Sequence, residues 1–151
     1  MEHKIILCRG IQGSGKTTFA KKWVAEDPEH RVRFNNDDIR NMLGKYWVPA
    51  REPLVKKIKE AFLGNAIDQG YDIIIDNMNL NPKELKYYND YFISLNHVAK
   101  STGRYHSYTI EIHDFFTPLE ECIARDAKRE NPIGESIIRE TYNKYKDILN
   151  G

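Results

Sequence analysis

Apolar residues fall along this chain in two rhythms. Unbroken runs come at 4–9 (KIILCR) and 71–76 (YDIIID). Short runs of this kind, bounded by turn residues, predict strands buried on both faces. "RVRF" at 31–34 and "SYTIEIHDF" at 107–115 alternate or nearly so and predict two more strands. Between them the spacing changes to threes and fours. Phe19, Ala20, Trp23 and Val24 predict a helix over 16–26. A second begins at "NNDDIRNML", with Asn36 or Asp37 as its cap. Leu54, Ile58, Ala61 and Phe62 predict a third, from about 54 to 69, closed by Gly70. Asn81-Pro82 opens a fourth, with Leu85, Tyr88, Phe92 and Leu95 turned inward. Residues 118–129 and 134–149 predict two more, parted by "NPIG", with Leu119, Cys122 and Ile123 as an inner stripe. "GKYWVPAREP" at 44–53 carries two prolines and reads as a loop.

Strands alternating with helices predict an α/β fold: a parallel sheet of about four strands with helices on both faces. No repeat, linker or low-complexity stretch divides the chain, so residues 1–151 are expected to form a single domain. Ligands of such sheets bind at the carboxyl ends of the strands. Candidate chemistry should therefore sit just after each strand.

Composition narrows the partners. The net charge is only +1, which argues against coating a long nucleic acid but not against gripping one end. Cys8 and Cys122 fall in a predicted strand and a predicted helix and read as small buried hydrophobes. The five histidines show no metal-ligand spacing. No leader precedes "KIILC" and no apolar run is long enough to span a bilayer, so a cytoplasmic protein without a membrane partner is expected.

Gly10 to Thr17 reads GIQGSGKT, which fits G-x-x-x-x-G-K-[ST] between a strand and a helix. Glycines let the backbone curl its N–H groups around phosphate oxygens, and the following helix adds its positive end. Gly13, Ser14, Gly15, Lys16, Thr17 and Thr18 are expected to hold ATP or another nucleoside triphosphate. Lys16 would reach the β- and γ-phosphates and Thr17 would ligate magnesium. Asp76 closes the strand "DIIID" and is either a Walker-B-type carboxylate near the magnesium, directly or through water, or an N-cap or turn aspartate.

The second strand delivers "NNDDIR". Asp37 and Arg40, three apart on one helical face, suit an acceptor hydroxyl and a neighbouring anion. The alternative is that Asp37 or Asp38 only caps the helix and Arg40 pairs with one of them. Arg125 and Arg129, four apart, share a helical face before "NPIG". An arginine-bearing helical lid hinged there would close over the phosphates. Tyr46 and Trp47 could stack on a base or pack under their loop, with the second reading slightly preferred.

Together, "KIIL…GSGK", "DDIR", "NLNP" at 79–82, the arginines at 125–129 and the closing proline-to-tyrosine segment resemble the kinase domain of bacteriophage-type 5′-polynucleotide kinases. That family moves the γ-phosphate of ATP to the 5′-hydroxyl of DNA or RNA. The resemblance implies Asp37 as general base, Arg40 as clamp on the acceptor's 3′-side phosphate, and Arg129, helped by Arg125, on the transferred phosphates. It also implies Asn79 as an acceptor contact and a nucleic-acid ligase as the user of the product. Asn36 and Met78 depart from the family, which more often has a basic residue and a threonine there. No acidic D-x-D-type phosphatase loop follows, so kinase activity alone is expected. Two rivals remain: a P-loop kinase for a small-molecule hydroxyl, such as a nucleoside, sugar or antibiotic, and a nucleotide-binding switch with no acceptor.

Overall fold

The computed structural model describes residues 2–102 and 107–150; within that range the side chains of 97–102 lie outside the description. Four strands, β1 (Glu2–Arg9), β2 (Arg31–Phe34), β3 (Asp72–Ile75) and β4 (Ser107–Asp114), form one sheet in the order β2-β3-β1-β4. Every pairing is parallel, with Ile5 beside both Ile73 and Ile110, and Phe34 beside Ile75. The helices are α1 (Lys16–Glu26), α2 (Asn36–Met42), α3 (Glu52–Asp68), α4 (Pro82–Thr102), α5 (Leu119–Ala127), α6 (Glu135–Lys144) and α7 (Lys146–Leu149).

Side chains alternate along a strand, so each strand feeds two cores. Ile5, Leu7, Ile73 and Ile75 point to one face, where Leu63, Ala66 and Ile67 of α3 and Tyr88 and Phe92 of α4 cover them. Ile6, Cys8 and Ile74 point to the other, against Ala20, Phe19, Trp23 and Val24 of α1. A third cluster lies off the sheet. Ile11, Leu80, Cys122 and Ile138 pack there with side chains of α5, α6 and α7. The helical lid is thus seated on its own apolar base beside the glycine-rich loop.

Caps fix the elements near the sheet's carboxyl edge. Gly70 has φ 76°, its N–H bonds Ile67 O, and the next N–H, of Tyr71, bonds Ala66 O. This pair of bonds closes α3 as a left-handed cap for which glycine is the favoured residue. Asn81 Oδ1 accepts from Lys83 N at 3.0 Å, and Pro82 takes the first helical position.

Four expectations need correction. The cap of α2 is Asn35, one residue before the two expected, and its Oδ1 accepts from Asp38 N at 3.0 Å. The buried stripe of α3 is Val55, Leu63, Ala66 and Ile67, while Leu54 and Ala61 are exposed. Lys59 explains the misreading. It sits toward that face with its ammonium 4.7 Å from the Tyr87 ring centroid and 5.3 Å from that of Tyr88, so a charged residue interrupts an otherwise apolar period. The last helix is not continuous, because it breaks at Tyr145. α5 ends at Ala127, which leaves Arg129 beyond the helix rather than on its face.

Candidate functional site

The glycine-rich loop leaves the inner strand β1 and returns as α1. Gly13 has φ 78°, and a Cβ there would meet the Cys122 carbonyl oxygen at 2.4 Å. The loop therefore lies directly against α5. Gly15, at φ 102°, is the residue before α1 and would place a Cβ 3.4 Å from Arg125 Nη1. That contact puts the Arg125 guanidinium at the mouth of the loop. Thr117 Oγ1 donates to Ser14 O at 2.8 Å, and Gly10 N donates to Met78 O at 3.0 Å, so the loop is tied at both ends.

Lys16 is buried under the loop. Its Nζ donates to Ile11 O at 2.7 Å and to Ser14 Oγ at 3.3 Å. Burial pulls its pKa from 10.5 down to about 8, against the opposing charge of Asp76. A γ-phosphate would restore the charged form. Below pH 8 the free protein already carries that charge, and above it binding must bring in a proton. ATP affinity should therefore weaken as pH rises past about 8, with proton uptake on binding, as calorimetry in buffers of different ionisation heat would measure. Thr17 is half-buried and Thr18 exposed on the first turn of α1.

Asp76 follows β3 and is 2% exposed. Its Oδ2 accepts from Arg33 Nε at 2.9 Å and its Oδ1 from Asn35 Nδ2 at 3.0 Å. Arg33 also reaches Asp38 at 2.6 Å. One arginine thus links the end of β3 to the start of α2.

Asp37 and Arg40 meet at the same edge. Arg40 Nη1 donates to Asp37 Oδ1 at 2.8 Å, and the Tyr46 hydroxyl donates to the same oxygen at 3.1 Å. Among the described residues no donor occupies Asp37 Oδ2. Arg40 further grips Glu52 through two bonds, Nε to Oε2 at 3.1 Å and Nη2 to Oε1 at 2.7 Å. The pairing alternative is therefore realised in this state: Arg40 has two carboxylate partners rather than an open fork. Those bonds use three of its five N–H donors.

Three residues have different surroundings from those expected. Asn79 lies fully buried at φ 52°, and its amide donates to Cys8 O at 2.7 Å. Its Nδ2 serves the main chain of the turn after β3, its Oδ1 is buried with no partner among the described residues, and the side chain has no exposed face for an acceptor. Trp47 is 52% exposed and Tyr46 43%, so neither is packed away under the loop.

The lid's breaker is pinned. Asp126 is 1% exposed, and its carboxylate accepts from Ile133 N at 3.0 Å and Gly134 N at 2.9 Å. "NPIG" is a latched turn here. Arg129 lies 3.7 Å from the same carboxylate and near enough to Lys16 to oppose its charge. Asp126→Ala would leave the half-buried N–H groups of Ile133 and Gly134 without their acceptor and should cost about 1–2 kcal/mol, read as a lowered thermal midpoint.

Sequence reading missed Glu52, Arg33, Asn35 and Asp126. Glu52, Arg33 and Asp126 act across a loop or between strands, where no fixed spacing signals them. Asp126 carried a cue, an acid placed just before a helix-breaking turn, and Asn35 carried another, a favoured cap residue three before the N–H it accepts from.

A parallel α/β sheet with a phosphate-binding loop on an inner strand, and an arginine-bearing helix beside it, defines a P-loop nucleotide-binding protein of the kinase type. The family model described as "AAA domain" matches residues 5–149, and the chain belongs to that family. It is similar to a chain in the Pnkp1/Rnl/Hen1 RNA repair complex, at 25% identity over 95% of this chain and 44% of that one, with a TM-score of 0.69. It shares its fold with the Mycobacterium tuberculosis APS kinase CysC solved with AMPPNP and APS, at 16% identity, 99% and 98% coverage and a TM-score of 0.53. Among sequences, it is 31% identical to Midasin of Dictyostelium discoideum over 83 residues, 53% of this chain and 1% of that one. The chain thus spans less than half of the RNA-repair relative and a small fraction of Midasin. Among the described residues no helix is long and apolar enough to cross a membrane.

Proposed function

We propose that the protein is a polynucleotide 5′-hydroxyl kinase, moving the γ-phosphate of ATP to the 5′-OH end of DNA or RNA. The observation that carries this reading is the state of Asp37. One of its oxygens is locked by Arg40 and Tyr46, and the other holds no donor among the described residues, at the edge of the sheet that also bears Lys16. A carboxylate held in this way can accept the proton of an incoming hydroxyl.

The triphosphate lies in the loop 10–17, with Lys16 on its outer phosphates and Arg125 and Arg129 over them. Asp37 Oδ2 orients the hydroxyl, and the two unused N–H groups of Arg40 take the acceptor's adjoining phosphate. Transfer through a loose transition state needs alignment and charge neutralisation more than covalent help. Magnesium favours hard oxygen donors and retains waters and substrate phosphates. The Thr17 hydroxyl and the buried Asp76 carboxylate, each of whose oxygens holds one donor and keeps a lone pair, fit that ion. It would supply charge neutralisation at the phosphates. The likeness to a chain of an RNA repair complex supports work at nucleic-acid ends, and a nucleic-acid ligase is the partner we assign to the 5′-phosphate product.

The small-molecule reading keeps one supporting observation: Arg40 is already balanced by Asp37 and Glu52. The test is transfer of labelled γ-phosphate to a 5′-hydroxyl oligonucleotide, a nucleoside 3′-phosphate and a free nucleoside. The first two should be labelled and the third poorly. Arg40→Ala should raise the acceptor KM far more than that of ATP. Labelling of the free nucleoside alone would overturn the proposal.

A further inference from the structure

The charges around Asp37 decide how a strand can be held. Asp37, Asp38, Glu52 and Asp76 stand against Arg33, Arg40, Lys45 and Arg51, one for one. Most of these groups are already engaged. Arg33 bonds Asp76 and Asp38, Arg40 bonds Asp37 and Glu52, and Arg51 donates to Leu43 O. A strand gripped along its backbone needs an excess of cations, roughly one for each phosphate neutralised. Here the four cations are matched by the four carboxylates, and Lys45 alone among them has no ion pair or hydrogen bond among the described residues.

Exposed apolar surface is concentrated there instead. Met42, Tyr46, Trp47 and Leu54 all belong to the segment 42–54 that frames Asp37, and all are exposed. The Trp47 ring has Arg40 Cζ 5.5 Å from its centroid, and half of the residue still faces solvent. The hydroxyl of Tyr46 on Asp37 holds the second ring beside the same carboxylate. Two aromatic rings are thus fixed by polar contacts to the acceptor residues themselves, with their apolar surface left open.

Resting on the polynucleotide reading above, we infer that Trp47, with Tyr46 beside it, is the platform on which an unpaired base at the acceptor's 5′ end stacks. Stacking, rather than a phosphate track, holds the acceptor. A base presents a π-face whatever its identity, so sequence preference should be slight. A paired end would bring a second phosphate backbone to a surface whose charges already balance and where only Lys45 is unengaged. The preferred substrate class is therefore a short or frayed single-stranded end, and one or two nucleotides should capture most of the affinity.

The test compares wild type, Trp47→Ala and Trp47→Phe on a single-stranded 5′-hydroxyl oligonucleotide, a duplex with a recessed 5′ end and a dinucleotide. Trp47→Ala should raise the single-strand acceptor KM about 5- to 100-fold, with kcat and the ATP KM unchanged and Phe restoring most of the loss. The oligonucleotide should quench tryptophan emission of the wild type and not of Trp47→Ala. The wild-type acceptor KM should change with salt at a logarithmic slope near that of one phosphate, about 0.7. An unchanged acceptor KM in Trp47→Ala, or a slope of about 3 or more, overturns the platform while leaving the kinase reading intact. Wild type that labels no oligonucleotide at all overturns both.

Discussion

Asp37→Ala should bind ATP as tightly as wild type and lose about 10²- to 10⁴-fold in turnover. The expectation follows from how the carboxylate is held. Arg40 and Tyr46 share Oδ1, which fixes the group's orientation and leaves Oδ2 to meet a hydroxyl. Removing it leaves no group at that point to take the proton. The fold should tolerate the change, since Arg40 keeps its two bonds to Glu52 and Asn35 still caps α2. Asp37→Asn sharpens the experiment, because it preserves shape but a neutral amide cannot act as a base. Steady-state transfer to an oligonucleotide, beside ATP binding by calorimetry, reads both quantities. Turnover within tenfold of wild type in either variant would remove Asp37 as the base.

Gly13→Ala should lose ATP binding by about 10²-fold or more and lower the thermal midpoint. Two costs add. At φ 78° an alanine pays about 1–2 kcal/mol for a left-handed backbone. Its methyl would also stand 2.4 Å from the Cys122 carbonyl, a main-chain atom that cannot swing aside. Relieving that overlap means parting the loop from α5, at a further cost of about 1–3 kcal/mol. Gly64→Ala is the control. It lies within α3 with nothing within 4 Å of a new Cβ, and it should stabilise the protein by about 0.5–1 kcal/mol. Equal melting behaviour in the two variants, with ATP affinity retained in Gly13→Ala, would sink the argument from close approach.

Much of the fold was legible in the chain because its strongest signals are local. The run IIL in β1 and the run III in β3 can only be central strands, and Gly70 and Asn81-Pro82 punctuate their helices by backbone geometry alone. The order of the strands is another matter. β3 lies between β1 and β2, and nothing in the neighbourhood of residue 31 encodes its pairing with residue 72. The candidate site divides the same way. The donor loop is a contiguous stretch whose spacing carries its chemistry. Asp37 and Arg40 were legible as neighbours on a helix, but Glu52, twelve residues on, reaches Arg40 only because the intervening loop folds back. The inner face of α3 was obscured because Lys59 lies over tyrosine rings in a place where a charge was not expected. Asn79 carried no cue that its amide would serve Cys8 across the sheet.

The placement of the two halves on the sheet has a consequence for how the protein can change. β1 is paired on both flanks over Ile5–Leu7, whereas β2 is a four-residue strand at the margin with a neighbour on one side only among the described residues. Amide exchange should be slowest in the middle of β1 and faster around Asn35 to Glu52, the difference growing in mild denaturant. A border strand and its trailing loop can be rewritten, or exchanged between relatives, without disturbing the nucleotide's cradle. Such an arrangement lets one ancestral engine acquire new recipients for the same phosphate.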